Sequence, residues 1–347
     1  MKRRALILQT AVLAGLSGSP TATILEAVRH ELNRSMADNP VTADADEWQE
    51  VAREYGQTYL TTSPAILLKA LITDLGGVQL TLRHHSDEAV QRKLLEAEAL
   101  LAAFTAQTVA NMGDLIEARR WWRTARLAAD RSADPYTMLW VRGREVVRAG
   151  YERRPVPAIL QLASATEARL DGVPSEALPE FVSGKAQTLA LAGRHAEAEQ
   201  ALCQLRELPV SSRQDSIFDY AEENLRRTES FVYSHAGDFT KAGRAQETAL
   251  TLYPDDNLRG RAEIGMEQAL CLVRMGDTAE GTRHALGTIT NLPVTHRIRP
   301  IADLGQKVLG SIPAHERSQA WAKEYDECLE VSFPGHTTDV PPSSTKI

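Results

Sequence analysis

The sequence predicts an all-α protein, a right-handed α-solenoid built from helical hairpins. Three observations favour this class. Aromatic residues make up only 5% of the 347 residues, and Ala, Leu, Glu and Arg, which favour helices over sheets, recur throughout. A short motif that ends one helix and starts the next returns several times. Apolar residues upstream of that motif follow the i, i+3, i+4 rhythm of an amphipathic helix.

Composition restricts the class of protein further. Hydrophobic residues at 43% and charged residues at 24% are ordinary for a soluble globular chain and exclude disorder throughout. The net charge of -7 gives the whole chain no basic footprint for nucleic acid. Three widely spaced cysteines without a CxxC pair exclude a disulfide framework and argue against structural zinc. Their apolar helical contexts predict buried thiols at Cys203, Cys271 and Cys328.

Residues 1–20 are predicted to form an apolar connector or short helix. Lys2, Arg3 and Arg4 precede an apolar run that ends at Leu16 and is shorter than the about 20 residues of a membrane span. An export signal and a membrane anchor are the alternatives. Since no disulfide set points to export, the predicted location is the cytoplasm.

A helical block is predicted over residues 21–87. Apolar residues at helical spacing place helices over 23–34, 43–59 and 64–83, with a linker at 36–42. At the other end, residues 333–347 are rich in Pro and polar residues, which predicts a disordered tail.

The repeated motif occupies the array predicted over residues 88–332. It is a small residue or Met, then Gly, then a polar residue, with a small residue five positions after the Gly. Gly ends a helix by taking up a left-handed backbone, a following Asp caps the next helix, and the small residue lets two helices cross closely. Four copies are clear and the one at Gly150 is weaker, because Pro155 and Pro157 follow it. The clear copies centre on Gly113, Gly193, Gly237 and Gly276.

These residues resemble the tetratricopeptide repeat. The copy nearest to the repeat pattern consists of Ser230, Tyr233, Gly237, Ala242, Ala249 and Pro254. The spacing of about 40 residues exceeds the usual 34, and the leading Trp of the repeat is replaced in every copy. The resemblance implies stacked hairpins whose first helices line a concave groove.

The chain as a whole is similar to the C-terminal sensing half of Xre-type helix-turn-helix regulators of actinomycetes. The repeats, the helical block and the opening Lys-Arg-Arg with its apolar run carry this similarity. In those regulators a DNA-binding domain comes first, whereas no helix-turn-helix precedes this array, so DNA binding is not implied. A stand-alone paralogue and a gene start further upstream are the two alternatives.

The positions of the glycines predict which side chains face the groove. Counting back two, three, six and ten residues from each Gly marks the inner face of the first helix, and Asn224 lies one turn further back on the helix before Gly237. Amides can bond both backbone groups of a peptide, and arginine can fork onto a carboxylate. The predicted ligand-binding residues are Gln107, Asn111, Trp140, Arg144, Arg148, Gln187, Asn224, Arg227 and Phe231.

The stretch 119–154 is basic within an acidic chain. It holds ten arginines and four acidic residues. Such a patch suits an acidic peptide tail, a phosphate-bearing ligand or a nucleic acid. The alternative is that these arginines pair with acidic residues of neighbouring repeats.

The predicted function is non-catalytic recognition of a peptide or protein partner in the concave groove, as a regulatory or biosynthetic accessory factor. No P-loop, dinucleotide-binding, HExxH or GxSxG motif is present, so no cofactor or metal is predicted and an enzyme is disfavoured. Two alternatives remain open, a truncated Xre-type regulator and a peptide-modifying enzyme or its partner subunit. Homodimerisation through the ends of the array is also compatible with the pattern.

Overall fold

The computed structural model describes residues 40–169, 173–211 and 216–334. Within these ranges the protein has fourteen α-helices, two short 3-10 helices and no strand, only a single bridge between Ser211 and Ala221. The all-α prediction is therefore confirmed. The helices are α1 (Pro40–Thr58), α2 (Pro64–His84), α3 (Glu88–Asn111), α4 (Leu115–Ser132), α5 (Pro135–Tyr151), α6 (Val156–Glu167), α7 (Pro179–Leu191), α8 (His195–Glu207), α9 (Glu222–Ala236), α10 (Phe239–Leu252), α11 (Leu258–Met275), α12 (Thr278–Asn291), α13 (Arg299–Ser311) and α14 (Ala320–Ser332).

The helical block upstream of the repeats is present where it is described. The helices predicted over 43–59 and 64–83 correspond to α1 and α2, although α1 already begins at Pro40, inside the predicted linker. The predictions for 1–20 and 23–34, and nearly all of the predicted tail at 333–347, lie outside the described residues.

The four clear glycines of the motif are hairpin bends. Each lies between two helices and has the left-handed backbone that glycine adopts without strain. Two of the following aspartates cap the next helix: Asp114 accepts a hydrogen bond from the Glu117 amide at 2.9 Å, and Asp238 from the Lys241 amide at 3.1 Å. The φ angles are 103° at Gly113, 71° at Gly193, 78° at Gly237 and 99° at Gly276.

The prediction of a hairpin bend at Gly150, the weaker copy of the motif, is wrong. Gly150 lies inside α5, and the chain turns at Arg153, whose φ is 53°. A Cβ on Gly150 would approach the Leu191 side chain to 3.0 Å, so this glycine allows α5 to pack closely on α7. The true turn at Arg153 lies three residues after Gly150, which is nearly one helical turn. The groove positions counted from Gly150 therefore still lie on one face of α5.

The small residues five positions after each bend lie where the two helices of a hairpin cross. Ala118, Ala198 and Ala242 are fully buried. At Gly281, which takes this place in the last copy, a Cβ would come within 2.7 Å of the Ala269 carbonyl oxygen. The helices of each pair therefore approach too closely for a larger side chain.

The helices pack in a regular order. Each odd-numbered helix from α1 to α13 contacts the next odd-numbered helix, which makes a continuous row. From α2 onwards each helix also contacts the one that follows it in sequence, so the even-numbered helices flank this row. The row returns on itself, because α13 also contacts α3.

Helix α2 is both long and apolar. Among the described residues it is the one helix long and apolar enough to cross a membrane, with a mean hydropathy of 1.5 and 28% of that window buried. It packs on α1: a Cβ on Gly77 would meet the Trp48 ring at 2.5 Å, and Tyr55 donates a hydrogen bond to Asp74. These contacts give α2 a packed face within the helical block.

The cysteines differ in burial. Cys271 is buried as predicted, whereas Cys328 is partly exposed and Cys203 is exposed. The buried-thiol prediction is thus wrong for Cys203, because α8 directs its neighbours Leu202 and Leu205 into the core and turns this thiol outward.

Candidate functional site

A cavity of about 80 Å³ lies among the odd-numbered helices. Its walls come from the end of α1, from α3, α5, α7, α9 and α11, and from the segments ahead of α9 and α13. Four arginines and four carboxylates line it beside aromatic side chains. The charged residues are Arg144, Arg148, Arg227, Arg259, Glu180, Asp219, Glu223 and Glu263, and the aromatic ones are Tyr59, Phe104, Trp140 and Tyr253.

Six of the nine predicted ligand-binding residues lie on this cavity, although they are up to 116 positions apart in the sequence. They are Asn111, Trp140, Arg144, Arg148, Asn224 and Arg227. The other three, Gln107, Gln187 and Phe231, are buried away from its lining.

The amides of α3 bond within the protein. Asn111 donates to the Tyr59 hydroxyl at 2.8 Å and accepts from Arg148 Nη2 at 2.6 Å. Gln107 accepts from Arg144 Nε at 2.9 Å. These side chains were predicted to capture a peptide backbone, whereas in the structure they orient two arginines of α5.

Gln187 and Phe231 belong to packing between helices. The Gln187 amide donates to Ser183 at 3.2 Å and lies near Thr228 of α9. The Phe231 ring stacks on His235 with 4.2 Å between ring centroids. Burial lowers the pKa of His235 to about 4, so this imidazole is neutral at pH 7. Neither predicted residue is open to a ligand in this arrangement.

Two of the cavity arginines have carboxylate partners. Arg144 Nη1 lies 3.0 Å from Glu180 Oε1, and Arg227 Nη2 lies 3.4 Å from Glu263 Oε2. Burial alone would lower the pKa of both guanidiniums, but nearby groups outweigh it: Glu180 raises the pKa of Arg144, and Tyr151 and Glu263 raise that of Arg227. These two charges are compensated inside the protein.

The other two cavity arginines have no such partner. Arg148 and Arg259 are 6% and 1% exposed, and neither forms an ion pair with any carboxylate of the described residues. Arg148 Nε is buried and lacks an acceptor. Arg259 donates to the backbone carbonyls of Tyr59 and Leu60, and its guanidinium lies 5.2 Å from the Tyr59 ring centroid. Burial lowers the pKa of Arg259, Tyr59 and Glu263 oppose this shift, and the charge of Arg148 adds to it.

The sequence interpretation missed Arg259, Glu263 and Tyr59. Continuing the count from Gly276 by one and two further turns reaches Glu263 and Arg259, so the same periodicity could have identified both. Tyr59 carried no such signal, because it reaches the cavity through the packing of α1 on α3.

Contacts between distant parts of the chain close the row of helices near the cavity. Besides the bonds of Arg259 to the end of α1, His296 Nε2 lies 3.1 Å from the Thr61 carbonyl oxygen, and Arg299 donates to the Gly113 carbonyl at 3.4 Å. Arg153 also pairs with Asp303 at 2.5 Å. These contacts join residues 150 or more positions apart and restrict the inner space to a cavity.

Most arginines of the basic stretch 119–154 pair with acidic residues. Arg142 pairs with Asp130 at 2.7 Å, and Arg154 pairs with both Glu145 and Glu152. Pairing between neighbouring hairpins is present for Arg126, Arg142 and Arg144, whereas Arg120 and Arg154 pair within their own hairpin. The arginines of this stretch with a carboxylate partner are Arg120, Arg126, Arg142, Arg144, Arg153 and Arg154.

Comparisons with known proteins give no relative. No family model matches the chain, no curated protein matches it, and no solved structure matches it. Within the described parts of the chain, no group of three His, Cys, Asp or Glu side chains is arranged to hold a metal ion.

Proposed function

We propose that the protein is a tetratricopeptide-like, right-handed α-solenoid whose inner face recognises a peptide or a partner protein. The hairpin bends at four glycines and the continuous row of odd-numbered helices support the solenoid. In a solenoid of this kind the first helix of each pair faces inward, which agrees with the helices that line the cavity.

One observation carries the proposed binding function. Six residues chosen from repeat periodicity as ligand-binding, on the three helices α3, α5 and α9, converge on a single cavity that combines charged and aromatic side chains. Ligand sites are typically apolar recesses with a few converging polar groups. Because the contacts of Arg259 and His296 narrow the inner space, the proposed ligand is a short peptide or a chain end.

Asn224 is the side chain of this set that is best placed to bond a ligand. It is half-buried on the cavity wall, and its side-chain amide makes no hydrogen bond with the described residues. An amide in this position can both donate to and accept from a peptide group.

Native mass spectrometry of the protein purified from its own host tests the proposal. We expect a bound peptide or chain in the wild-type spectrum and a reduced bound fraction in Asn224→Ala. Asn291→Ala, an exposed asparagine at the end of α12, is the matched control and keeps the bound species. Equal retention by the two variants, or no bound species in the wild-type protein, contradicts the proposal.

A further inference from the structure

We infer that the cavity is an oxyanion site in which Arg148 and Arg259 supply the cationic ligands. The inference rests on the proposed binding function of the same cavity and specifies the chemistry of what it takes. The bound group would be a carboxylate or a phosphate that forms one end of a larger ligand.

Within the described chain, the buried positive charges of Arg148 and Arg259 lack a paired negative charge to balance them. Each guanidinium is more than nine-tenths buried and lacks a carboxylate partner among the residues described. A buried ionised group without a counter-charge is costly, which is why such groups in proteins are paired. The charge of Glu263 raises the pKa of Arg259, but this carboxylate already forms an ion pair with Arg227. An anion in the cavity would supply the missing partner.

The hydrogen-bond donors fit this assignment. Arg148 uses Nη2 on Asn111 and leaves its buried Nε without an acceptor, and Arg227 Nε is likewise buried without one. Arg259 uses Nε and Nη2 on two carbonyls, so Nη1 remains for a ligand. Guanidinium groups match carboxylate and phosphate geometry with paired N–H donors. Two partly used arginines can therefore hold one oxyanion.

The size and the remaining charges of the cavity limit the ligand. A volume of about 80 Å³ is well below the roughly 300 Å³ of pockets that hold a whole drug-sized ligand. Asp219 and Glu223 also line the cavity and make no ion pair with described residues. These carboxylates would repel a polyanion such as nucleic acid, so the site suits a single anionic group on an otherwise neutral or cationic ligand.

Titration with small oxyanions tests the inference on the full chain. Sodium phosphate and sodium acetate are added against sodium chloride at matched ionic strength, and Tm and calorimetric binding are measured. We expect Tm to rise with at least one oxyanion, since a ligand that binds only the native state stabilises it. A response to phosphate alone assigns a phosphate ligand, and a response to acetate alone a carboxylate ligand.

Variants locate the bound anion. We expect Arg148→Gln to weaken anion binding about 10- to 100-fold, because hydrogen bonds to a charged group are lost, and Arg148→Lys to weaken it less. Arg123→Gln, an exposed arginine of α4, makes the same charge change and keeps wild-type binding. If Arg148→Gln does not fold, the Lys variant and the wild-type titration still decide.

Two outcomes overturn the oxyanion site. One is the absence of any Tm response to either oxyanion beyond that to chloride, and the other is equal binding by Arg148→Gln and wild type. Retention of a native ligand that is reduced in Asn224→Ala but unaffected by Arg148→Gln would leave the proposed function standing and remove the oxyanion site alone. A rise of Tm with an oxyanion, together with no host ligand retained by the wild-type protein, would leave the oxyanion site standing and remove the proposed recognition of a peptide or protein.

Discussion

The two faces of α5 use arginine in opposite ways. On the side towards α4, Glu145 accepts hydrogen bonds from Arg126 and from Arg154, the latter at 2.8 Å. Glu152 accepts from Arg154 at 2.9 Å and from the Trp122 indole at 2.7 Å. Both carboxylates are almost fully buried, and each buried charge there meets an opposite one.

On the cavity side of the same helix, Arg148 meets an amide and no carboxylate. The two faces lie within one basic stretch of sequence, so the number of arginines does not distinguish an ion-pair network from a candidate site. What distinguishes them is whether a carboxylate lies within reach of the arginine: Glu145 lies in α5 and Glu152 at its C-terminal end, whereas Arg148 makes no ion pair with a described carboxylate. The following tests ask whether this difference in pairing is also a difference in energy.

The largest expected effect contrasts Arg154→Met with Arg148→Met. Removing Arg154 leaves Glu145 and Glu152 buried with less compensation, and we expect a loss of about 3–5 kcal/mol in the free energy of unfolding. Removing Arg148 takes away an uncompensated charge and one bond to Asn111, and the expected loss is below about 1 kcal/mol. Urea unfolding without added oxyanion measures both values. Similar losses of unfolding free energy in the two variants would contradict the view that the two faces of α5 differ in charge pairing.

A second test uses Glu267, a buried carboxylate that has no ion pair within the described chain. Burial raises the pKa of Glu267 from 4.5 to about 7, against the opposing hydrogen bond from Ser230 at 2.5 Å and the charge of Arg227, while Glu263 raises it further. The native state then holds a proton that the unfolded state releases between pH 4.5 and 7. We expect the free energy of unfolding to fall by about 3 kcal/mol across this window as pH rises.

Glu267→Gln isolates this contribution because it keeps a neutral group beside Ser230. The variant is expected to unfold like wild type near pH 4.5 and to be more stable than wild type at pH 8. Glu247→Gln, at an exposed position of α10, keeps Glu267, so its difference in stability from wild type should be the same at both pH values. A stability difference between Glu267→Gln and wild type that is the same at both pH values would remove the proposed titration.

Local rules account for the part of this molecule that could be predicted from sequence. The bend at Gly237 needs a left-handed backbone, and Ala242 must be small where two helices cross. Both requirements are local, so the residue types recur at a fixed spacing in the sequence. The faces of the helices follow from the same spacing, and two residues chosen from it, Asn111 and Arg227, line the same cavity.

Long-range partners account for what could not be predicted. Arg259 meets the carbonyls of Tyr59 and Leu60 about 200 residues away, and no local pattern encodes that contact. The same holds for Gln107, whose amide is used by Arg144 on the next odd-numbered helix. Sequence periodicity gives the face of a side chain, whereas its partner depends on how the helices stack.

A third test concerns the close approach of α5 to α7, which positions Arg144 against Glu180. A Cβ on Gly143 would come within 2.7 Å of the Phe181 backbone nitrogen. We expect Gly143→Ala to lower the free energy of unfolding by about 1–3 kcal/mol, because backbone atoms cannot yield as a side chain can. Gly287→Ala in α12 faces open space and should instead stabilise by up to about 1 kcal/mol. Thermal unfolding of the two variants should move Tm in opposite directions, and a shared direction would contradict the packing.

The smallest expected effect is at Arg120, an arginine of the same basic stretch that pairs with Glu117 at 3.0 Å on the surface. Its side chain is 70% exposed, so water already solvates the charge and the pair has little to contribute. We expect Arg120→Met to change the free energy of unfolding by less than about 0.5 kcal/mol, measured by urea unfolding beside Arg154→Met. A loss at Arg120 comparable to that at Arg154 would mean that burial of the partner carboxylate is not what makes one arginine structural and another dispensable.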